Sequence, residues 1–325
     1  MHITNGDISA SLIRQTNPGG QVVAWRDVLY EGPVPGNLSL KELSIIRAKH
    51  LSETYGRAYE KIYEEFKKRD DTLKSHIGFQ EVVLWFDQDV YSQLQLFQIL
   101  DWFGTQNQMT PKISLICVEN HLEWKKPEEC HQLYKNRTEV RKDQLDYGVR
   151  VWKEVTSDHP KNIEELFKQG TTIIPFIEGT LKRYLEEFPS IKNGLSKPER
   201  QFLKIIFSGD KNPGILFQET LKYDLPDYMA DWLFWKLAKD LSREKNPLIR
   251  TGRDRPGSYP PFVPFNERFK DQTLVMTKIG EKVLENKLDR IKINGLDRHI
   301  GGTHLKKGNL WRWDKVNHLL IKDQV

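Results

Sequence analysis

The chain has 325 residues, 38% hydrophobic and 29% charged, with a formal net charge of +5. This is the composition of a soluble globular protein of two or three domains. No apolar run is long enough to span a bilayer, and the opening MHITNGD lacks the basic region and long apolar core of a signal peptide.

The two cysteines, Cys117 and Cys130, form no CxxC pair. That argues against a structural zinc site or disulfide framework and for a cytoplasmic protein with reduced thiols. A pI near 8.9 is only mildly basic. Distribution says more. Acidic residues gather at strand ends in the N-terminal half, whereas Arg250, Arg253, Arg255, Arg268, Lys287, Arg290, Lys292, Arg298, Lys306, Lys307 and Arg312 load the C-terminal third.

His2 to Thr4 reads as a first strand, followed by Asn5-Gly6-Asp7 and an amphipathic helix to about Gln15. Strand, glycine turn and helix start make either an anion cradle or an ordinary turn with Asp7 as helix cap. Gln21 to Trp25 is a second strand ending in Arg26 and Asp27, and extended chain continues to Glu31 before the rigid loop Gly32 to Gly36. Leu38 to about Ser75 is helical, broken near Gly56, with Ser39 and Glu42 forming a capping box. Arg47, inside that helix, is either a surface residue or a partner for an anion or carboxylate.

Glu81 to Trp102 is the centre of the chain. Val82 to Phe86 is a short apolar run rich in valine and aromatics, hence a buried strand. Asp87-Gln88-Asp89 closes it, and Leu94, Phe97, Leu100 and Trp102 then recur at helical spacing. Ligands of open α/β sheets sit beyond the carboxyl ends of the strands. The two carboxylates there are helix caps or ligands for a cation. Asp7, Asp27 with Glu31, and Asp87 with Asp89 therefore converge on one sheet edge, where like charges need a cation or a base. Lys112 to Val118 is a fourth strand, closed by Glu119 and Asn120.

Helices over Pro127 to Asn136, Glu139 to Thr156, Lys161 to Lys168 and Ile173 to Phe188 form a connector. From Asn193 the pattern changes to three helices, beginning near Ser196, Pro213 and Asp227. A strand at Pro247 to Arg250, a basic excursion over Thr251 to Phe269, a strand at Gln272 to Met276 and a short helix at Ile279 to Glu285 follow. That order is the order of a winged helix. The third helix carries too many apolar faces for a free recognition helix, which favours a structural or protein-binding role. The expected domains are 1–122 (ligand-binding α/β), 123–192 (helical connector), 193–290 (winged-helix-like) and 291–325 (a Gly/His/Arg/Trp segment). The α/β domain is expected to hold a small, mostly parallel Rossmann-like sheet. In the last segment, Arg298, His299, Gly301, Gly302, His304 and Arg312 are the ligand-capable groups, expected to fold back to the acidic edge. The His299–His304 spacing is loose for a shared metal, and the Gly301-Gly302 backbone is a candidate phosphate cradle.

Several motifs together resemble a bacterial family described as domain of unknown function 1835. They are HITNGD at His2 to Asp7, WRDVLYEGPV at Trp25 to Val34, Arg47-Ala48, VVLWFDQDVYSQLQL at Val82 to Leu96, and the C-terminal NGLDRHIGGTHL and WRWD. The resemblance implies that these positions form one site and implies no particular activity.

The chemistry points first to metal-assisted phosphoryl transfer or phosphodiester hydrolysis on a nucleotide or nucleic acid. Asp7, Glu31, Asp87 and Asp89 would hold Mg²⁺ or Mn²⁺. Arg26, Arg47 or Arg298 would neutralise phosphate, with Asn5, Gly6, Asp27, Gly301, Gly302 and Arg312 at the ligand. His299 or His304 would be acid or base. YEG before a loop and DxD after a strand also resemble Toprim nucleases, without their intervening strand. The alternatives are a non-enzymatic nucleotide-sensing or nucleic-acid-binding regulator, and a structural adaptor whose carboxylates are caps and ion-pair partners.

Overall fold

A computed structural model describes residues 1–16, 18–106, 111–209, 212–223, 231–251 and 273–323. They fall into two compact units. The first comprises Met1–Tyr184 with His299–Thr303, and the second Leu185–Arg298 with His304–Val325. The helices expected as a separate connector thus belong largely to the first unit.

The first unit is α/β. Its elements are β1 (His2–Thr4), α1 (Asp7–Gln15), β2 (Val22–Ala24), β3 (Gly32–Pro33), α2 (Leu40–Tyr55), α3 (Tyr59–Lys74), β4 (Glu81–Asp87), α4 (Val90–Gly104), β5 (Lys112–Val118), α5 (Pro127–Lys135), β6 (Thr138–Glu139), α6 (Lys142–Val155), α7 (Lys161–Gln169) and α8 (Ile177–Leu185). Five strands form a sheet in the order β2-β1-β4-β5-β6. All pairings are parallel except β5 with β6. Strand β6 lies where the helical pattern of Glu139 to Thr156 had been expected to begin, and the helix starts only at Lys142. Extended chain was also expected through Glu31. Instead Leu29 and Tyr30 turn, and β3 leaves the main sheet to pair with residues 300 and 301.

Side chains alternate across β4. Val83 and Trp85 join Ile13 of α1 and Cys130 of α5 in one core. Val82, Leu84 and Phe86 face the other way and are equally buried. Helix α4 is apolar nearly all round because it is covered all round: Leu94, Leu96, Phe97, Ile99 and Leu100 are all inaccessible. On its far side a Cβ at Gly148 of α6 would come within 2.6 Å of the Leu100 Cβ, so glycine permits that close helix approach.

The loop between β2 and β3 is held from within. Arg47 Nε and Nη2 donate to Asp27 Oδ1 at 3.0 and 2.9 Å, Nη2 also to the Val28 carbonyl at 2.9 Å, and Nη1 to the Glu31 carbonyl at 2.8 Å. Both side chains are about 1% exposed. Arg47 is therefore a carboxylate partner and loop clamp. Removing one member of such a pair strands a buried charge. Arg47→Ala is expected to lower unfolding stability by about 3–5 kcal/mol in urea titration.

Glu81 ties β4 to its neighbours. It accepts from Arg137 Nε at 2.9 Å, Arg137 Nη2 at 2.8 Å and Ser114 Oγ at 2.6 Å. The Arg137 hydrogen bonds lead in holding its carboxyl down at about 2. A carboxyl depressed on folding stabilises above its ordinary range, and that stabilisation is lost as pH falls through about 2. Glu81→Gln should therefore be less stable than wild type near neutral pH and converge with it near pH 2, as read by denaturant midpoints across pH.

The second unit contains α9 (Lys197–Phe207), α10 (Pro213–Tyr223), α11 (Asp231–Arg243), β7 (Ile249–Thr251), β8 (Leu274–Met276), α12 (Lys278–Leu284), α13 (Arg290–Asn294), the first residue of β9 (Arg298–Gly301), most of β10 (Thr303–Leu305), β11 (Leu310–Asp314) and β12 (Leu319–Asp323). Strands β7 and β8 pair antiparallel, as do β11 and β12. Thr277 caps α12, its Oγ1 accepting from Gly280 N–H at 3.0 Å and donating to the Pro247 carbonyl at 2.7 Å. The basic excursion with Arg253, Arg255 and Arg268 lies outside the described residues. Helix α11 buries Leu233, Phe234, Leu237, Ala238 and Leu241, and Lys236 pairs with Asp240.

Candidate metal centre

In the sheet order the chain moves from β1 outward to β2, then returns to place β4 on the other side of β1. The side on which strands are added changes between β1 and β4, a switch point of the kind beyond whose carboxyl ends open α/β sheets place ligands. Asn5 follows β1, and Asp87 ends β4. Asn5 Nδ2 donates to Asp87 Oδ2 at 2.8 Å, from one strand end to the other. The Leu122 N–H donates to Asp87 Oδ1 at 2.9 Å, bringing in the segment after β5. Asp89 caps α4, accepting from Ser92 N–H at 2.8 Å. Ser92 Oγ in turn accepts from the Asp87 N–H at 2.7 Å.

His121 completes the group. Its Nδ1 lies 4.0 Å from Asp87 Oδ2 and 3.8 Å from Asp89 Oδ2. Those separations exceed hydrogen-bond length. With metal–oxygen distances of about 2.1 Å, ligands around one octahedral ion stand roughly 3 to 4 Å apart. Asp87, Asp89 and His121 each offer one ligand atom within 4.8 Å of the others, and the three could hold a metal ion. All are 2–3% exposed. Burial, then the neighbouring Asp89, raises the Asp87 carboxyl well above the usual carboxylate range. Burial lowers the His121 imidazole, which favours the neutral, ligand-competent form.

The other expected site residues have different partners. Asp7 is two-thirds exposed and is not the helix cap, since Gly6 holds that position in an extended conformation. Its carboxylate is held by Arg26, whose Nε donates to Oδ2 at 2.8 Å. Glu31 Oε2 meets His50 Nε2 at 2.8 Å and accepts from Tyr55 Oη at 3.4 Å. The expected metal set of Asp7, Glu31, Asp87 and Asp89 is thus corrected. Its first two members are engaged by cationic or imidazole side chains, and His121 stands with Asp87 and Asp89.

The tail does not return as one piece. His299–Thr303 belongs to the first unit. There Gly302 N–H donates to the Val155 carbonyl at 2.9 Å, and Gly301 accepts from Val34 N–H at 2.9 Å. A Cβ on Gly302 would lie 2.0 Å from the Thr156 carbonyl oxygen, and one on Gly301 would lie 2.3 Å from that of Val155. Gly302 also lines a cleft of about 730 Å³ that includes Asp101, Glu154 and Asp158. Carbonyl oxygens and carboxylates repel phosphate, so the glycines serve close backbone approach instead of an anion cradle. In the second unit, Arg298 donates to Glu187 at 2.7 Å, His304 meets Asp297 at 2.6 Å, and Arg312 donates to Asp289 at 2.7 Å. His299 lies on β9, half-buried.

His121 follows Glu119 and Asn120, which close β5 in the sequence, so no local spacing ties it to Asp87. The usable signal was position. Asn120 adopts a positive φ of 64°, and the next side chain, His121, lies buried beside Asp87.

No protein-family model matches the chain, and no curated protein matches it.

Gly302→Ala places a methyl against backbone, where no side chain can yield. It is expected to destabilise the protein by about 1–3 kcal/mol in denaturant titration.

Proposed function

We propose that the first unit binds a divalent cation at Asp87, Asp89 and His121 and uses it in phosphoryl transfer or phosphodiester hydrolysis on a nucleotide or nucleic acid. The observation that carries this reading is the buried carboxylate–carboxylate–imidazole group at the β1/β4 switch point. Hard carboxylate oxygens suit Mg²⁺ and Mn²⁺, and an imidazole nitrogen shifts the preference towards Mn²⁺. A cation bound there supplies Lewis acidity towards a phosphoryl oxygen and lowers the pKa of water. Asn5 and the Leu122 N–H orient Asp87, and the Ser92 N–H orients Asp89, as outer partners orient metal ligands. Membership of the domain of unknown function 1835 family is part of the same proposal. Two of its motifs, HITNGD and VVLWFDQDVYSQLQL, contain Asn5 and Asp87, which touch.

A second reading is a non-enzymatic nucleotide-sensing or nucleic-acid-binding regulator. It draws on the order α9-α10-α11-β7-β8-α12, which is that of a winged helix. The burial of α11 weakens its use as a recognition helix.

Calorimetric titration of the full chain with Mn²⁺ and Mg²⁺ tests the first reading, together with turnover of nucleotides and oligonucleotides. Mn²⁺ is expected to bind, and Asp87→Asn and His121→Ala should each weaken it at least tenfold, since even the outer partners of metal ligands are worth roughly 10- to 100-fold. Turnover should fall by about 100-fold or more with either substitution. Mn²⁺ binding untouched by both variants would overturn the site. Nucleotide or nucleic-acid binding with no turnover would favour the regulator.

A further inference from the structure

Trp124 stands beside the metal group in an unusual way. It closes the helical turn Leu122–Trp124 that follows His121. Its N–H donates to the His121 carbonyl at 3.1 Å. Its ring meets the His121 imidazole edge-on, with centroids 4.4 Å apart and planes at 74°. His121 is 3% exposed, yet Trp124 is 55% exposed. The indole is thus fixed by its backbone and by one ring contact, while much of its surface meets water. The next two residues are cations, Lys125 half-buried and Lys126 exposed. The same turn packs against α1, the helix that starts on the other side of the switch point.

We propose that Trp124 is a stacking platform for the nucleobase of the substrate, with Lys125 and Lys126 placed for its phosphates. The inference rests on the metal-dependent reading above. A fixed indole presents a π-face to any base, so stacking on it is tolerant of base identity. Lysines beside an aromatic are the combination that tracks a phosphate backbone. The orientation matters to the chemistry. An edge contact to His121 ties the platform to the metal group, so a stacked base brings its attached phosphate to a set distance from the cation. Trp124 determines specificity by this account and takes no part in proton transfer.

The test uses the full chain with Mn²⁺ and two matched pairs: ATP against inorganic triphosphate, and a dinucleotide against its abasic counterpart. Affinity is read by equilibrium dialysis and KM by turnover. In wild type the base-bearing member of each pair is expected to bind more tightly. Trp124→Ala should reduce that preference roughly 5- to 100-fold, the range for losing one stacked base, while Trp124→Phe keeps most of it. Mn²⁺ should still bind to both variants. Equal loss on both members of each pair would overturn the proposal, because Trp124 would then only support His121. An unchanged preference in Trp124→Ala would overturn it too. If wild type binds Mn²⁺ but shows no preference for either base-bearing compound, the platform falls and the metal centre stands. If Mn²⁺ does not bind, the parent reading falls.

Discussion

Two carboxylates buried side by side are the constraint on which the first unit turns. Asp87 and Asp89 are each 2% exposed, and Glu123 adds a third nearby negative charge. Such a group is costly in a low-dielectric interior unless protons or a cation compensate it. The surrounding structure holds the two carboxyl groups in place: Asn5 and the Leu122 N–H grip Asp87, and the first turn of α4 grips Asp89. The two carboxyl groups are ordered before any ligand arrives. That preorganisation is what a cation site requires and what a set of simple helix caps does not.

The contrast with three other buried carboxylates is instructive. Asp27 has Arg47, Asp70 has Arg69 and Ser44, and Glu199 has Arg290. In each case a guanidinium supplies the opposite charge together with a fork of donors. Arg69 is further sandwiched, 4.2 Å from the Trp25 ring and 4.3 Å from that of Phe66. These pairs close loops and join helices. Asp87 instead faces another carboxylate, amide donors and an imidazole. Chemistry of that kind takes up a proton or a metal, whereas the guanidinium pairs are already satisfied.

Local signals carried far along this chain. The apolar run ending in Asp87 marked β4, and the Ser39–Glu42 capping box marked the start of α2 within a residue or two. Gly56 ends α2 in a left-handed conformation at φ 69°, where glycine carries no steric penalty. The short helix expected at Ile279 to Glu285 is α12, displaced by one residue and capped by Thr277. Such devices act over three or four residues, so spacing alone exposes them. Trp102 shares the helical spacing of Leu94, Phe97 and Leu100 yet is only half-buried, because helical period assigns a face without saying what covers it.

Partner choice obeyed a different logic. Asp7, Asp27, Glu31 and Asp87 look alike as acidic strand ends. They diverge because Arg26, Arg47, His50 and Asn5 reach them from up to 82 residues away. Pairing depends on strand order and on which helix crosses which face, neither of which is encoded in spacing. The amino-acid order alone placed β1, β2, β4 and β5 to within a residue, and carboxylates at strand termini, because those follow from short-range sterics and hydropathy. Folding in three dimensions chose His121 over the tail histidines and turned Gly301 and Gly302 towards carbonyl oxygens, because only packed strands and helices bring distant side chains within coordination distance.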